Sequence, residues 1–185
     1  MSKHNHPLEK LVKTITYKGV EFEVVERPDV LWVGSMEMAN NNTDEADIDK
    51  AIQRIGYLRD VEKAPRHSLI DPDSSGTISI NYGIEKPCAI MLGKETSCDN
   101  QDERYELFTQ PSGLWLRIKA SQNAAVALFG KEEAESWEYY AHGILQAAAK
   151  ENGYIQNCPD VPIQYDYYCK DGVYAYISIV KKCSV

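Results

Sequence analysis

The sequence predicts an α+β protein: a mainly antiparallel sheet with two helices on one side, built as a tandem βαββ repeat. Three observations predict it. First, two stretches read nearly as copies. Phe22-Glu23-Val24-Val25-Glu26-Arg27-Pro28-Asp29-Val30-Leu31-Trp32-Val33 is matched by Tyr105-Glu106-Leu107-Phe108-Thr109-Gln110-Pro111-Ser112-Gly113-Leu114-Trp115-Leu116, with the Glu, Pro, Leu and Trp identical in place. Second, each copy joins two extended pieces through a proline, which removes a ladder donor and fixes φ at a bend. Third, each copy is followed by one helical stripe and then two short β-rich runs. Self-similarity of this kind marks a repeated unit, and helices gathered on one face of an antiparallel sheet give that unit a core.

In chain order, residues 1–14 are polar and unpatterned and read as a flexible lead. His4 and His6 lie within it, and a solvated terminus is the plainer reading over a metal pair. A single domain follows over 15–185, with repeat one at about 20–96 and repeat two at about 103–182. Thr14 to Val25 alternates with β-branched and aromatic residues and predicts a strand, and Val30 to Met38 a second. Asn42 offers a helix N-cap with Glu45 three positions on, and Ile48, Ala51, Ile52 and Ile55 form one apolar stripe. Arg59 to Gly76 is loop, rich in Pro, Asp, Ser and Gly. Thr77–Tyr82 and Cys88–Leu92 predict a hairpin, and the polar Lys94–Arg104 stretch links the halves.

In the second half, Gly130 to Glu135 opens a longer helix with an acidic first turn. Trp137, Tyr140, Ala141, Ile144 and Ala148 give its stripe, and Lys150 with Gly153 its stop. Ile163–Cys169 and Val173–Val180 then form a hairpin across Lys170-Asp171-Gly172.

Bulk properties exclude several classes. The chain has 185 residues, 43% of them hydrophobic, and a net charge of −8. An acidic surface repels phosphate backbones, so nucleic-acid binding is not expected, whereas the field favours a cationic ligand. No run approaches the roughly 20 apolar residues that span a bilayer. There is no apolar leader, and the expected location is cytoplasmic. Five cysteines, without Cys-x-x-Cys spacing, read as free and mostly buried thiols; neither a metal site nor a cofactor is expected.

A three-residue Lys-Asp-Gly turn sets Asp166 opposite Tyr176 and Tyr168 opposite Tyr174. Gln164, Asp166, Tyr168, Tyr174, Tyr176 and Ser178 then share one face, and Ile163, Tyr165, Tyr167, Ala175, Ile177 and Ile179 the other, against the second helix. A one-residue slip would scramble that assignment. An acid among aromatic rings suits a flat or greasy cation, because the π-faces attract it and the carboxylate compensates its charge. The plainer reading has the tyrosines covering one side of a sheet and Asp166 paired with a surface lysine.

Glu26-Arg27-Pro28 through Gly34 resembles the opening of GyrI-like (gyrase-inhibitor-like) domains, the effector-binding domains of AraC-type and BmrR-type regulators. Gln110 through Trp115 resembles their Pro-x-Gly-x-Tyr/Trp strand, and Glu151-Asn152-Gly153-Tyr154 their helix exit. Tyr165-Asp166-Tyr167-Tyr168 resembles their [Phe/Leu]-Glu-x-Tyr strand. The likeness covers about residues 20–182 and rests on the order and spacing of the motifs. It implies the SHS2-like tandem fold with a ligand cleft between the halves, where an acidic residue recognises cationic aromatic compounds. That residue would be Asp166, an Asp where the family usually has Glu, or Gln164 if the alignment shifts by two. Candidate ligand contacts are Trp32, Tyr82, Trp115, Trp137, Tyr140, Gln164, Asp166, Tyr168, Tyr174 and Tyr176, with Trp137 and Tyr140 better explained as packing. About 20 residues precede the likeness, too few for a helix-turn-helix, so a free-standing effector domain is expected.

The first functional expectation is a protein that senses or sequesters amphipathic, cationic aromatic compounds. Two others are open. One is a hydrolase of cyclopropanoid toxins, with Asp166 or Glu106 as the working carboxylate. The other is a gyrase-interacting inhibitor. A haem-binding role, known for a relative of this fold, finds no obvious axial ligand.

Overall fold

The computed structural model describes residues 6–39, 47, 49–55, 65–81, 87–130, 137–156 and 162–182, and for 137–141 the backbone alone. Its strands are β1 (Lys10–Tyr17), β2 (Val20–Arg27), β3 (Val30–Ala39), β4 (Ser75–Ile80), β5 (Cys88–Thr96), β6 (Glu106–Gln110), β7 (Gly113–Lys119), β8 (Tyr154–Gln156), β9 (Ile163–Cys169) and β10 (Gly172–Lys181). The helices are α1 over 49–55, α2 (Gln122–Phe129) and α3 (Trp137–Glu151). One antiparallel sheet runs β1-β2-β7-β10-β9-β4-β5-β3-β6, with β8 added alongside β10.

The repeat is structural, and its halves trade strands. β2 leaves its own half to pair with β7, and β6 pairs with β3. Asp29 and Ser112 are 83 positions apart, and the same offset turns Val24↔Leu116 into Leu107↔Val33 and Val25↔Trp115 into Phe108↔Trp32. At the crossing, Ser112 N donates to Asp29 Oδ1 at 2.6 Å, so two counterpart residues meet on the pseudo-twofold axis.

Directly paired residues point the same way, so pairing sorts the faces. One row, Ile90–Ser79–Gln164–Ile177–Leu116–Val24, crosses six strands on the helix side. Met91–Ile78–Tyr165–Tyr176–Arg117–Glu23 crosses the same strands on the other side. The helix side carries two separate cores. α2 and α3 bury Ala124, Ala125, Leu128, Leu145, Ala148 and Ala149 on Phe22, Val24, Leu116, Ile118, Ala175 and Ile177. α1 buries Ala51 and Ile55 on Ala39, Cys88 and Ile90. On the other side the sheet curls over itself. Arg27 of β2 reaches Tyr165 of β9 and Glu95 of β5, although β7, β10, β9 and β4 separate β2 from β5 in the order. That inner face closes around Trp32, Trp115, Tyr165 and Tyr176, all at most 1% exposed.

Four expectations are corrected. The lead-in does not run unpatterned to residue 14: β1 starts at Lys10 and His6 is buried. Thr14–Val25 is not one strand. Lys18 and Gly19 both take positive φ (48° and 77°), the pair of left-handed residues that a two-residue hairpin turn requires. A third helix, α2, precedes the expected one. Ser121 caps it by accepting from Ala124 N, and Gly130 at φ 87° ends it instead of opening the next. Finally, Cys169 pairs with Gly172, so the last turn holds two residues rather than three. The N-cap at Asn42 with Glu45, the acidic turn over 131–135 and Tyr82 lie outside the described residues.

Candidate functional site

The shortened turn slips the β9–β10 register by one: Tyr176 pairs with Tyr165, Tyr174 with Tyr167 and Ala175 with Asp166. Gln164, Asp166 and Tyr168 therefore share the helix side with Ala175 and Ile177. Tyr174 and Tyr176 point to the inner face with Tyr165 and Tyr167. The predicted ring of tyrosines around one acid does not form, because side chains alternate and one residue of slip exchanges the faces of one strand relative to the other.

What forms instead is a polar seam. Along the helix side, Ser79–Gln164 and Thr77–Asp166 are direct pairs of β4 and β9. Apolar Ile90 and Leu92 flank them on one side, Ile177 and Ala175 on the other. The seam thus divides the α1 core from the α2–α3 core. The pairings Gly76↔Gly93 and Tyr165↔Tyr176 are duplication counterparts, since Gly93 and Tyr176 stand at the same offset as Asp29 and Ser112. Thr77 and Asp166 are consequently counterparts that pair with each other, which puts Asp166 on the pseudo-twofold axis. Its side chain is 22% exposed, and His142 of α3 brings Nε2 to 3.4 Å from Oδ1. Gln164 is 5% exposed, and its Oε1 has no hydrogen-bond partner among the described residues. A buried acceptor left unpaired costs about 1–3 kcal/mol, which a donor entering the seam would recover.

The structure separates the other candidates. Tyr168 stands at the outer end of the seam, 37% exposed and paired with Ser75. Trp32, Trp115, Tyr174 and Tyr176 are buried on the inner face, at most 3% exposed, and do not line the seam. Trp137 and Tyr140 lie on α3, with side chains outside the described residues. Glu106 pairs with Gly34 on the inner-face side of edge strand β6 and accepts from Met36 N, so it cannot work beside Asp166. His142 sits one position off the apolar stripe of α3, and nothing along the chain links it to Asp166.

The inner face holds a charged network that the sequence reading also missed. Arg27 bonds Glu95 and the Tyr165 hydroxyl, and pairs with Glu9. Arg117 pairs with Glu9 and Glu23 and donates to Tyr176 Oη. His6 Nε2 lies 2.7 Å from Glu95 Oε2. Burial by itself raises the Glu95 carboxyl, but the His6 hydrogen bond and the Arg27 charge outweigh it and hold the group below its ordinary 4.5. Burial raises Tyr165 and Tyr176 well above their ordinary 10, so both remain phenols. Tyr165 stacks on Tyr176 at 4.4 Å and stands edge-on between Trp32 and Trp115, at 5.7 and 5.4 Å.

The fold has solved counterparts. SAV2435 in complex with tetraphenylphosphonium superposes with a TM-score of 0.54 at 13% identity, over 87% of this chain and 94% of that one. A protein of Staphylococcus aureus MU50 described as a bacterial transcription regulation protein superposes at 0.51 and 14% identity, over 87% and 99%. The C-terminal domain of EcmrR superposes more loosely, at 0.47 and 10% identity, over 86% and 97%. The chain has the GyrI-like fold, a duplicated SHS2 unit. The sequence itself matches no family model, and no curated protein is similar to it at the sequence level. No helix among the described residues is long and apolar enough to cross a membrane.

Proposed function

We propose that the protein binds a small amphipathic aromatic cation in the helix-side seam. Asp166 is its charge partner, Gln164 an acceptor and Tyr168 a ring at the entrance. The observation that carries this reading is Asp166 itself, a largely covered carboxylate on the axis where the two apolar cores part. Unit charges about 4 Å apart attract by roughly 1 kcal/mol in water and about 4 kcal/mol at the intermediate dielectric near a protein surface, so partial burial makes the pairing selective. The net charge of −8 adds a favourable long-range field. SAV2435 binds tetraphenylphosphonium, a greasy cation of this kind, on the same fold.

The test is titration of the full-length protein with tetraphenylphosphonium by calorimetry. Saturable binding is expected, with affinity at least about tenfold weaker in Asp166→Asn, roughly 1.4 kcal/mol or more. Equal affinity in the variant would remove Asp166 from the site. Steady disappearance of a cyclopropanoid compound under catalytic protein, lost in Asp166→Asn, would turn the same seam into a hydrolase site.

A further inference from the structure

We propose that the outer edge of β6 docks a second copy of this chain, the two β6 strands pairing antiparallel about a twofold axis at Phe108. The duplication is what leaves that edge open. Read from either end of the sheet, β2-β7-β10-β9 answers β6-β3-β5-β4, and β1 is the strand without a counterpart. β1 covers the outer side of β2, pairing from Tyr17↔Val20 to Lys10↔Glu26. β6 is the counterpart of β2, and among the described residues it pairs with β3 on one side and with no strand on the other. One end of the sheet therefore takes an added strand, and the equivalent end presents a row of backbone donors and acceptors to solvent.

The two ends are built differently. β1 is blunted: its register breaks between Leu11 and Lys13, and Lys10 and Lys13 stand along it. β6 has an unbroken register on β3 and carries no lysine or proline. Its outward groups follow from Met36, whose N–H donates to Glu106 Oε2 and so points toward β6. Alternation along β3 turns Gly34 and Trp32 the same way. Their partners Glu106 and Phe108 make the ladder hydrogen bonds, and Leu107 and Thr109 turn theirs outward.

That pattern complements itself. With a second β6 centred on Phe108, Leu107 of each copy meets Thr109 of the other, so the outward backbone groups pair twice over. Glu106 meets Gln110, and no like charges come opposite. Phe108 meets itself at the closer, non-hydrogen-bonded spacing. The two Leu107 side chains, 41% exposed in the single chain, become diagonal neighbours on the helix side. A centre on Glu106 would instead oppose two carboxylates, and a centre on Leu107 or Thr109 would leave part of the strand unpaired.

The test is sedimentation of the full-length protein from about 1 μM to about 1 mM, the range in which a moderate dimer dissociates, with amide exchange followed at both limits. A dimer is expected, in which the Leu107 and Thr109 amides exchange at least about tenfold more slowly than in the diluted single chain. Thr109→Pro removes an outward donor and spares the β3 ladder. It is expected to weaken the dimer at least about tenfold, as is Leu107→Lys. A single chain at every concentration would overturn the proposal, and so would a dimer that leaves those two amides exchanging freely. Masses climbing past two copies would overturn it as well, because they would assign the edge to β1 of the next copy in an open chain. The exchange measurement needs no variant, so it decides even where Thr109→Pro fails to fold.

Discussion

Arg27 and Gln110 stand at the same place in the two repeats, and the difference between them shapes the inner face. Gln110 accepts from Trp32 Nε1 at 2.9 Å. An arginine has no acceptor to offer, and the counterpart Trp115 Nε1 has no partner among the described residues. The guanidinium turns instead to Glu95, a pair whose side chains are both 0% exposed. Removing one member of a buried pair strands the other, so Arg27→Met is expected to cost about 3–5 kcal/mol in urea unfolding. Adding Glu95→Leu should recover part of that loss, and a fully additive double variant would mean the two groups are not coupled. The same pair sets an acid limit. With its folded-state carboxyl below 4.5, Glu95 contributes stability that is present above that pH and lost as pH falls through the lower folded value. Glu95→Gln, whatever its starting stability, should show a shallower loss below pH 4.5. A second asymmetry lies at the axis: Tyr165 fills it, and its counterpart is Gly76, where a Cβ would come within 2.6 Å of the Trp32 ring. There is space for one side chain and not two.

At the scale of elements, a single residue in the last turn decides which chemistry each face carries. With Cys169 paired to Gly172, whose φ is 123°, Tyr165 and Tyr167 of β9 turn inward and Asp166 turns to the helices. Strand identity was readable because β-branched and aromatic residues crowd both runs. Register was not, because both faces of β9 carry polar and aromatic groups and neither pattern excludes the other. The β3–β5 contact shows a second constraint. A Cβ on Gly34 would lie 2.1 Å from the Leu92 carbonyl oxygen and 2.6 Å from Gly93 Cα, so the two strands approach too closely for any side chain. Gly34→Ala must push backbone from backbone, at an expected cost of about 1–3 kcal/mol, read as a fall in the thermal midpoint. An unchanged midpoint would mean the sheet gives more easily there than its packing implies.

For the molecule as a whole, strand exchange makes the halves interdependent. β2 completes the second half and β6 the first, so neither half carries its own full sheet. Fragments 1–99 and 100–185 are each expected to lack a cooperative unfolding transition and to regain one when mixed, measured by circular dichroism. A cooperative transition in either fragment alone would show that exchange is dispensable. The exchange also gives the seam its place: α1 covers one set of strands, α2 and α3 the other, and the axis between them is left with Ser79, Thr77, Gln164 and Asp166.

The amino-acid order determined the duplication and the antiparallel α+β class. Those follow from local pattern: a Pro-x-x-Leu-Trp motif repeated with its flank, helical stripes, alternating strands. Tertiary structure alone decided that Trp32, Trp115 and the inward tyrosines close a core away from Asp166. It alone brought Glu95, read as part of a polar linker, together with Arg27 and with His6 from the apparent lead-in. A buried charge is recognised only by its partners, and here the partners lie 68 and 89 positions from Glu95, brought together by the curl of the sheet rather than by any spacing along the chain.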